Sequence, residues 1–146
     1  MSATNAFESA LLSLIFENAN AANIGDATGI RGSSTAGVFY ISLHTADPTD
    51  AGDQTSSEAA YTSYARVSVA RSTSGWTVSG NNASNDSEIA FPACTGGSAT
   101  VTHFGIGTDS SGTGNLLIKG TLTPNLAVSN GITPKIAAGD LDITLD

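Results

Sequence analysis

With 146 residues, the chain is long enough to close a hydrophobic core without disulfide or metal staples. Thirteen Asp and Glu against five Lys and Arg leave a net charge of −8, and Arg31, Arg66, Arg71, Lys119 and Lys135 form no cluster that could replace counterions on phosphate. That excludes a nucleic-acid binder and disfavours an anionic membrane surface. Only 12% of residues are charged, whereas Ser and Thr make up about a quarter; such a polar but uncharged exterior suits a chain partly covered by its own copies or by a partner.

From the N-terminus, Asn5 to Asn18 is predicted as the one good helix. Phe7, Leu11, Leu14 and Ile15 recur at helical spacing as an apolar stripe, and Leu12 and Phe16 widen it beyond what one packing surface needs. Asn5 with Glu8 three residues on has the form of a capping box. The helix either packs on the rest of the fold or docks onto a neighbour, and Phe7, Leu11, Leu12, Leu14, Ile15 and Phe16 are the candidate assembly interface. The apolar run Ala10 to Phe16 is too short and too acidic at its flanks for a signal peptide, and nothing approaches a membrane span. Asn18 to Ala36 has no periodicity; it is expected as an arm with a short turn near Asn23-Ile24-Gly25, ordering against a partner.

Gly37 to Pro48, GVFYISLHTADP, is the central strand, apolar on both faces and stopped by Pro48, which has no amide hydrogen for a ladder. The acidic loop that follows, Asp47 to Ala60, lacks the ligand spacing of a calcium loop and is expected to be solvated. Tyr64 to Arg71 alternates as a strand with Arg66 and Ser68 on a wet face, and Trp76 to Ser79 is a short strand with Trp76 and Val78 turned to the core. Gly80 to Asp86 is expected as a turn-rich connection. Its Asn82-Ala-Ser84 and Asn85-Asp-Ser87 match a glycosylation pattern that matters only in a secretory compartment. Further strands are expected at Glu88 to Phe91, Ala99 to Gly107, Asn115 to Leu122, Ala127 to Ile136 and Leu141 to Leu145, with a hairpin loop at Asp109 to Gly114 and a tight turn at Ala138 to Asp140.

The expected fold is therefore mainly β: an antiparallel β-sandwich or barrel of seven to nine short strands with an N-terminal α-helix. Residues 1–36 form the helix and extended arm, and residues 37–146 the β-sandwich domain. No internal repeat is visible, which argues against a propeller or solenoid.

Chemistry-bearing residues are sparse. Cys94, His103 and an aspartate lack any local nucleophile signature, and a lone Cys after Pro92 is better explained as a small buried hydrophobe, in keeping with synthesis in a reducing cytosol. His44 and His103 fall short of the four ligands of a structural metal site and are taken as hydrogen-bonded structural residues. Gly105-Ile-Gly107 precedes a hairpin rather than a helix, so it is no phosphate cradle, and Asp140 and Asp142 share one solvent face. No cofactor, metal or catalytic residue is expected.

Several phrases, in order, resemble a family of small virion structural proteins of tailed bacteriophages: Phe39 to Gly52, Ser63 to Val69, Ser87 to Gly96, Thr100 to Gly107, Gly114 to Leu122 and Ala137 to Asp146. They cover roughly the last hundred residues. Where relatives often hold a Trp before the THFGI phrase, this chain has Ser98-Ala99-Thr100. The resemblance implies a non-enzymatic component of the particle, made in the host cytoplasm. Acidic charge favours the capsid exterior, as a decoration (cement) protein bound to the major capsid protein and to its own copies as a dimer or trimer. The alternatives are a tail, neck or tail-fibre-associated component, and a carbohydrate-binding adhesin using Trp76.

Overall fold

The computed structural model describes residues 3–22 and 32–145. Among them one helix, α1 (Asn5–Phe16), precedes nine strands: β1 (Val38–His44), β2 (Val67–Ala70), β3 (Trp76–Ser79), β4 (Asn82–Asn85), β5 (Ile89–Ala90), β6 (Ser98–Gly107), β7 (Leu116–Ser129), β8 (Lys135–Ile136) and β9 (Asp142–Thr144). The protein is mainly β, with antiparallel sheets and an N-terminal helix, as the turn spacing predicts. The expected turn at Asn23-Ile24-Gly25 lies outside the described residues.

The chain divides into two units. One comprises Met1–Val38, Ala70–Ile89 and Ile136–Asp146; the other comprises Phe39–Val69 and Ala90–Lys135. The strand pair β5–β8 stands apart as a two-stranded sheet.

In the first unit, α1 packs on a sheet of order β3-β4-β9. The packed side of the helix is Glu8, Leu12 and Phe16, one residue per turn, rather than the Phe7, Leu11, Leu14, Ile15 stripe. Phe16 meets Trp76 with ring centroids 4.7 Å apart, and both side chains are fully buried. Trp76, Val78, Ala83 and Ile143 fall on one face by the strand register, so the alternation expected around Trp76 and Leu141 to Leu145 is observed.

Helix ends and hairpin show where composition misleads. The capping box is not formed: Thr4 is the N-cap, its carbonyl accepts from the amides of Phe7 and Glu8, and Glu8 is drawn into the packed side instead. The helix also stops at Phe16, short of Asn18, which takes a left-handed φ of 60°. The segment Gly80 to Asp86 is not merely a connection, because Asn82–Asn85 is a strand. Ser79 pairs with Asn82, leaving Gly80-Asn81 as a two-residue hairpin loop that needs the positive φ of Gly80.

The second unit carries a sheet of order β2-β1-β6-β7. Central β1 pairs with β6 from Tyr40 opposite Gly107 to His44 opposite His103. Phe39, Ile41 and Leu43 are buried on one face of β1. On the opposite face Ser42 and His44 are just as inaccessible. Thus β1 is enclosed on both sides, but one covering is polar: Ser56 of the acidic loop meets the His44 ring and Gln54 lies on Gly107, while Ser42 and His44 themselves crowd Gly105. A Cβ at Gly107 would stand 2.1 Å from the Gln54 side chain, and one at Gly105 2.7 Å from His44 Nε2. Only glycine at 107 lets the loop approach this closely, and only glycine at 105 leaves room for the His44 ring.

Two strand boundaries differ from expectation. Strand β2 is reduced to Val67–Ala70, and Arg66 does not face water, its side chain being 2% exposed. Strand β7 runs unbroken through Pro124, where two strands were expected. It lies at the sheet edge, and the register against β6 shifts between Val101 and His103, so Leu122 to Asn125 bulge and the missing amide hydrogen costs no ladder bond.

Candidate functional site

Two surfaces are candidates for a functional site, one on each unit. On the first, α1 turns Leu12 and Phe16 inward, at 1% and 0% exposure, so these two of the six candidate residues serve the fold. Leu11, Leu14 and Ile15 are half-buried, and Phe7 is 44% exposed. At 100° per residue Phe7, Leu11 and Leu14 share one side, so the outer flank remains apolar. The C-terminal end of the helix is fastened by Arg71. The Arg71 guanidinium donates to the carbonyls of Leu14 and Ile15, each at 2.5 Å, and to Asn18 Oδ1, satisfying acceptors that the helix end leaves open. Asn18 in turn exchanges hydrogen bonds with Ser33, and Asn20 accepts from the Gly32 amide, so the two ends of the arm are tied together at its base. The amide of Val78 donates to the Glu17 carboxylate.

On the second unit the acidic loop is held at four places, by the sheet, by Arg66 and by the β6–β7 hairpin loop. Lys119 Nζ reaches Asp47 at 2.9 Å and Asp50 at 3.3 Å. The hydrogen bond from Lys119 holds the Asp47 carboxyl below its usual range, and Asp47 raises the lysine in return. Gln54, fully buried, accepts from the Asp109 backbone amide through Oε1, and its backbone N–H donates to the Thr113 carbonyl. The His44 ring donates from Nδ1 to the Ser56 carbonyl and accepts at Nε2 from the Ser42 hydroxyl, both at 2.8 Å. Burial pushes its pKa down, although the Ser56 carbonyl opposes this, so the neutral ring is favoured. Finally, Arg66 clamps Glu58 bidentately, at 2.7 and 2.8 Å. Its remaining donors take the carbonyls of Asp109 and Gly112, closing the β6–β7 hairpin loop onto the same cluster. Tyr64 donates to Glu58 and accepts from the Leu43 amide; burial raises its pKa.

The loop is thus solvated on its outer side, as expected, and organised by hydrogen bonds on its inner side. The Asp53 carboxylate accepts from the Thr55 hydroxyl and amide and, at 3.5 Å, from the Ser56 hydroxyl, and these bonds, led by the Thr55 hydroxyl, hold its pKa down. Beside the loop, Thr49, Asp50 and Gly52 with Leu116 to Lys119 of β7 line an open groove of about 230 Å³.

Of the residues that sequence offers for chemistry, His44 and His103 are cross-strand partners, but each is engaged in hydrogen bonds and no third metal-ligating side chain joins them among the described residues. Both nitrogens of His44 are engaged by Ser42 and Ser56. His103 Nδ1 meets the Thr102 hydroxyl, and buried Cys94 donates its thiol toward the carbonyls of Gly96 and Gly97. Among the described residues no group of three or more His, Cys, Asp or Glu side chains could hold a metal ion, and no helix is long and apolar enough to cross a membrane. Sequence reasoning missed Gln54, Arg66 and Lys119 as the organisers of the loop. The available signal was the scarcity of bases: of the five in the chain, Arg66, Arg71 and Lys119 each hold a connection in place.

A family model described as podophage GP4 fiber I protein gp80 matches residues 2–144. No curated protein matches the chain.

Proposed function

Because the chain belongs to the podophage GP4 fiber I protein gp80 family, and so is a structural protein of the phage virion, we propose that it is a non-enzymatic subunit associated with the tail fibre, assembling with its own copies and with neighbouring virion proteins. The match over residues 2–144 carries this reading, since the family is described by a fibre component rather than a head protein. It moves the preferred place from the capsid exterior, which acidic charge favoured, to the tail. The absence of an internal repeat supports a fibre-associated subunit rather than the repetitive shaft. The apolar outer flank of α1, with Phe7, Leu11, Leu14 and Ile15, is the proposed attachment surface, because the opposite side of the helix is already spent on Trp76. Antibody-gold electron microscopy of intact virions tests the placement. Label confined to the tail region at a low copy number is expected; label spread over the head in hundreds of copies overturns it in favour of capsid decoration.

A further inference from the structure

Strand β7 ends the four-stranded sheet, and among the described residues no backbone hydrogen bond joins its outer edge to another strand. Such edges are usually short, charged or covered, because an open ladder invites pairing. Here the strand is 14 residues long, and its first three residues, Leu116, Leu117 and Ile118, are apolar, with Leu117 50% exposed where the register against β6 shifts. The groove of about 230 Å³ runs along this same segment, with Thr49, Asp50 and Gly52 as its other wall. Downstream, the bulge from Leu122 to Asn125 with Pro124 interrupts the ladder, so the pairing segment is limited to Leu116 to Thr121.

We propose that this edge is a strand-docking site for an extended, basic segment of a neighbouring virion protein, which adds to the sheet beside β7 and meets Asp50 with a Lys or Arg. This deepens the assembly reading above and rests on it. Backbone bonds along the edge supply affinity, and the flanking side chains choose the partner. Charge selects the occupant. Asp50 is 99% exposed on its side chain at the groove, and its Lys119 contact at 3.3 Å leaves it open to a second cation. A second copy of the chain would bring another −8 to the same place, with Asp50 facing like charge. Lys119, drawn toward Asp47 and Asp50, adds no net positive field that would favour an acidic strand.

The test uses the full chain and two synthetic eight-residue peptides, one alternating Val with Lys and one alternating Val with Glu, followed by amide chemical shifts and sedimentation. Expected are shifts confined to Thr49 to Gly52 and Leu116 to Thr121 with the Val/Lys peptide, none with the Val/Glu peptide, and about two- to fivefold weaker binding to Asp50→Asn, a loss that added salt reproduces. Leu117→Ser, a change at a half-exposed site, is expected to weaken binding without lowering the melting temperature. Equal response to both peptides, or shifts elsewhere only, overturns the proposal. Self-association with protection of the β7 amides also overturns it, and assigns the edge to a second copy. None of these outcomes depends on where the subunit sits in the virion, so this failure is distinguishable from a failure of the tail placement.

Discussion

Asn85 carries more of the first unit than its type suggests. It is 1% exposed, its side-chain amide donates to the carbonyls of Ser87 and Ala137, and its Oδ1 accepts from the Leu141 amide. One side chain therefore fastens the Ala137 to Leu141 turn to β4. Asn85→Ala strands these groups, and a loss of about 1–3 kcal/mol is expected from denaturant melts; a change within error would show that water replaces the amide. His44 makes a pH-dependent contribution. Its folded pKa lies below the unfolded value of about 6.5, so the unfolded chain binds more protons in between. Stability should be fully present above about pH 6.5 and decline as pH falls toward the folded pKa. His44→Asn, which keeps a donor for the Ser56 carbonyl, should flatten that part of the melting-temperature profile. An unchanged slope assigns the pH dependence to another group.

At the scale of elements, α1 divides its apolar residues between two tasks. Phe16→Ala should cost about 3–5 kcal/mol, because it empties the contact with Trp76, whereas Phe7→Ala should stay within about 0.5 kcal/mol. Leu11→Asp with Leu14→Asp should leave the circular dichroism spectrum intact while abolishing attachment to the particle; loss of the spectrum would make these residues core. The helix, the strands near Val38, Trp76 and Leu141, and the β6–β7 hairpin were legible because period and turn chemistry agree there. Which flank of the helix packs was not, since an apolar arc that wide offers two stripes and the partner sheet chooses. Strand β4 was hidden because Asn82 to Asn85 is polar; its pairing comes from the Gly80-Asn81 turn and from neighbours remote in sequence.

For the whole molecule, charge and family bear on the same question. Particles assembled without this chain should keep heads of unchanged thermal stability and lose adsorption to the host by about tenfold or more, an effect of removing multivalent contacts. Unaltered adsorption with a lowered head melting temperature would instead fit decoration, since a ligand of the intact shell stabilises it by mass action. The fold alone does not separate these places, because one sheet scaffold hosts many roles. The family description separates them better than the acidic charge, which any exterior component would share.

Taken by itself, the sequence determined that the protein is mainly β with one amphipathic helix, that it carries a net charge of −8 with no basic cluster, and that its phrases are those of a virion protein. These properties are written in short windows, where period, turn residues and composition act locally. Tertiary structure alone decided that Leu12 and Phe16 face inward, that the Arg66 side chain is buried against Glu58, that Gln54 of the acidic loop lies on Gly107, and that β7 is left with an open edge. Each of these depends on which segments meet across tens of residues, and a buried charge or a bare glycine acquires its meaning only from the side chain placed opposite it.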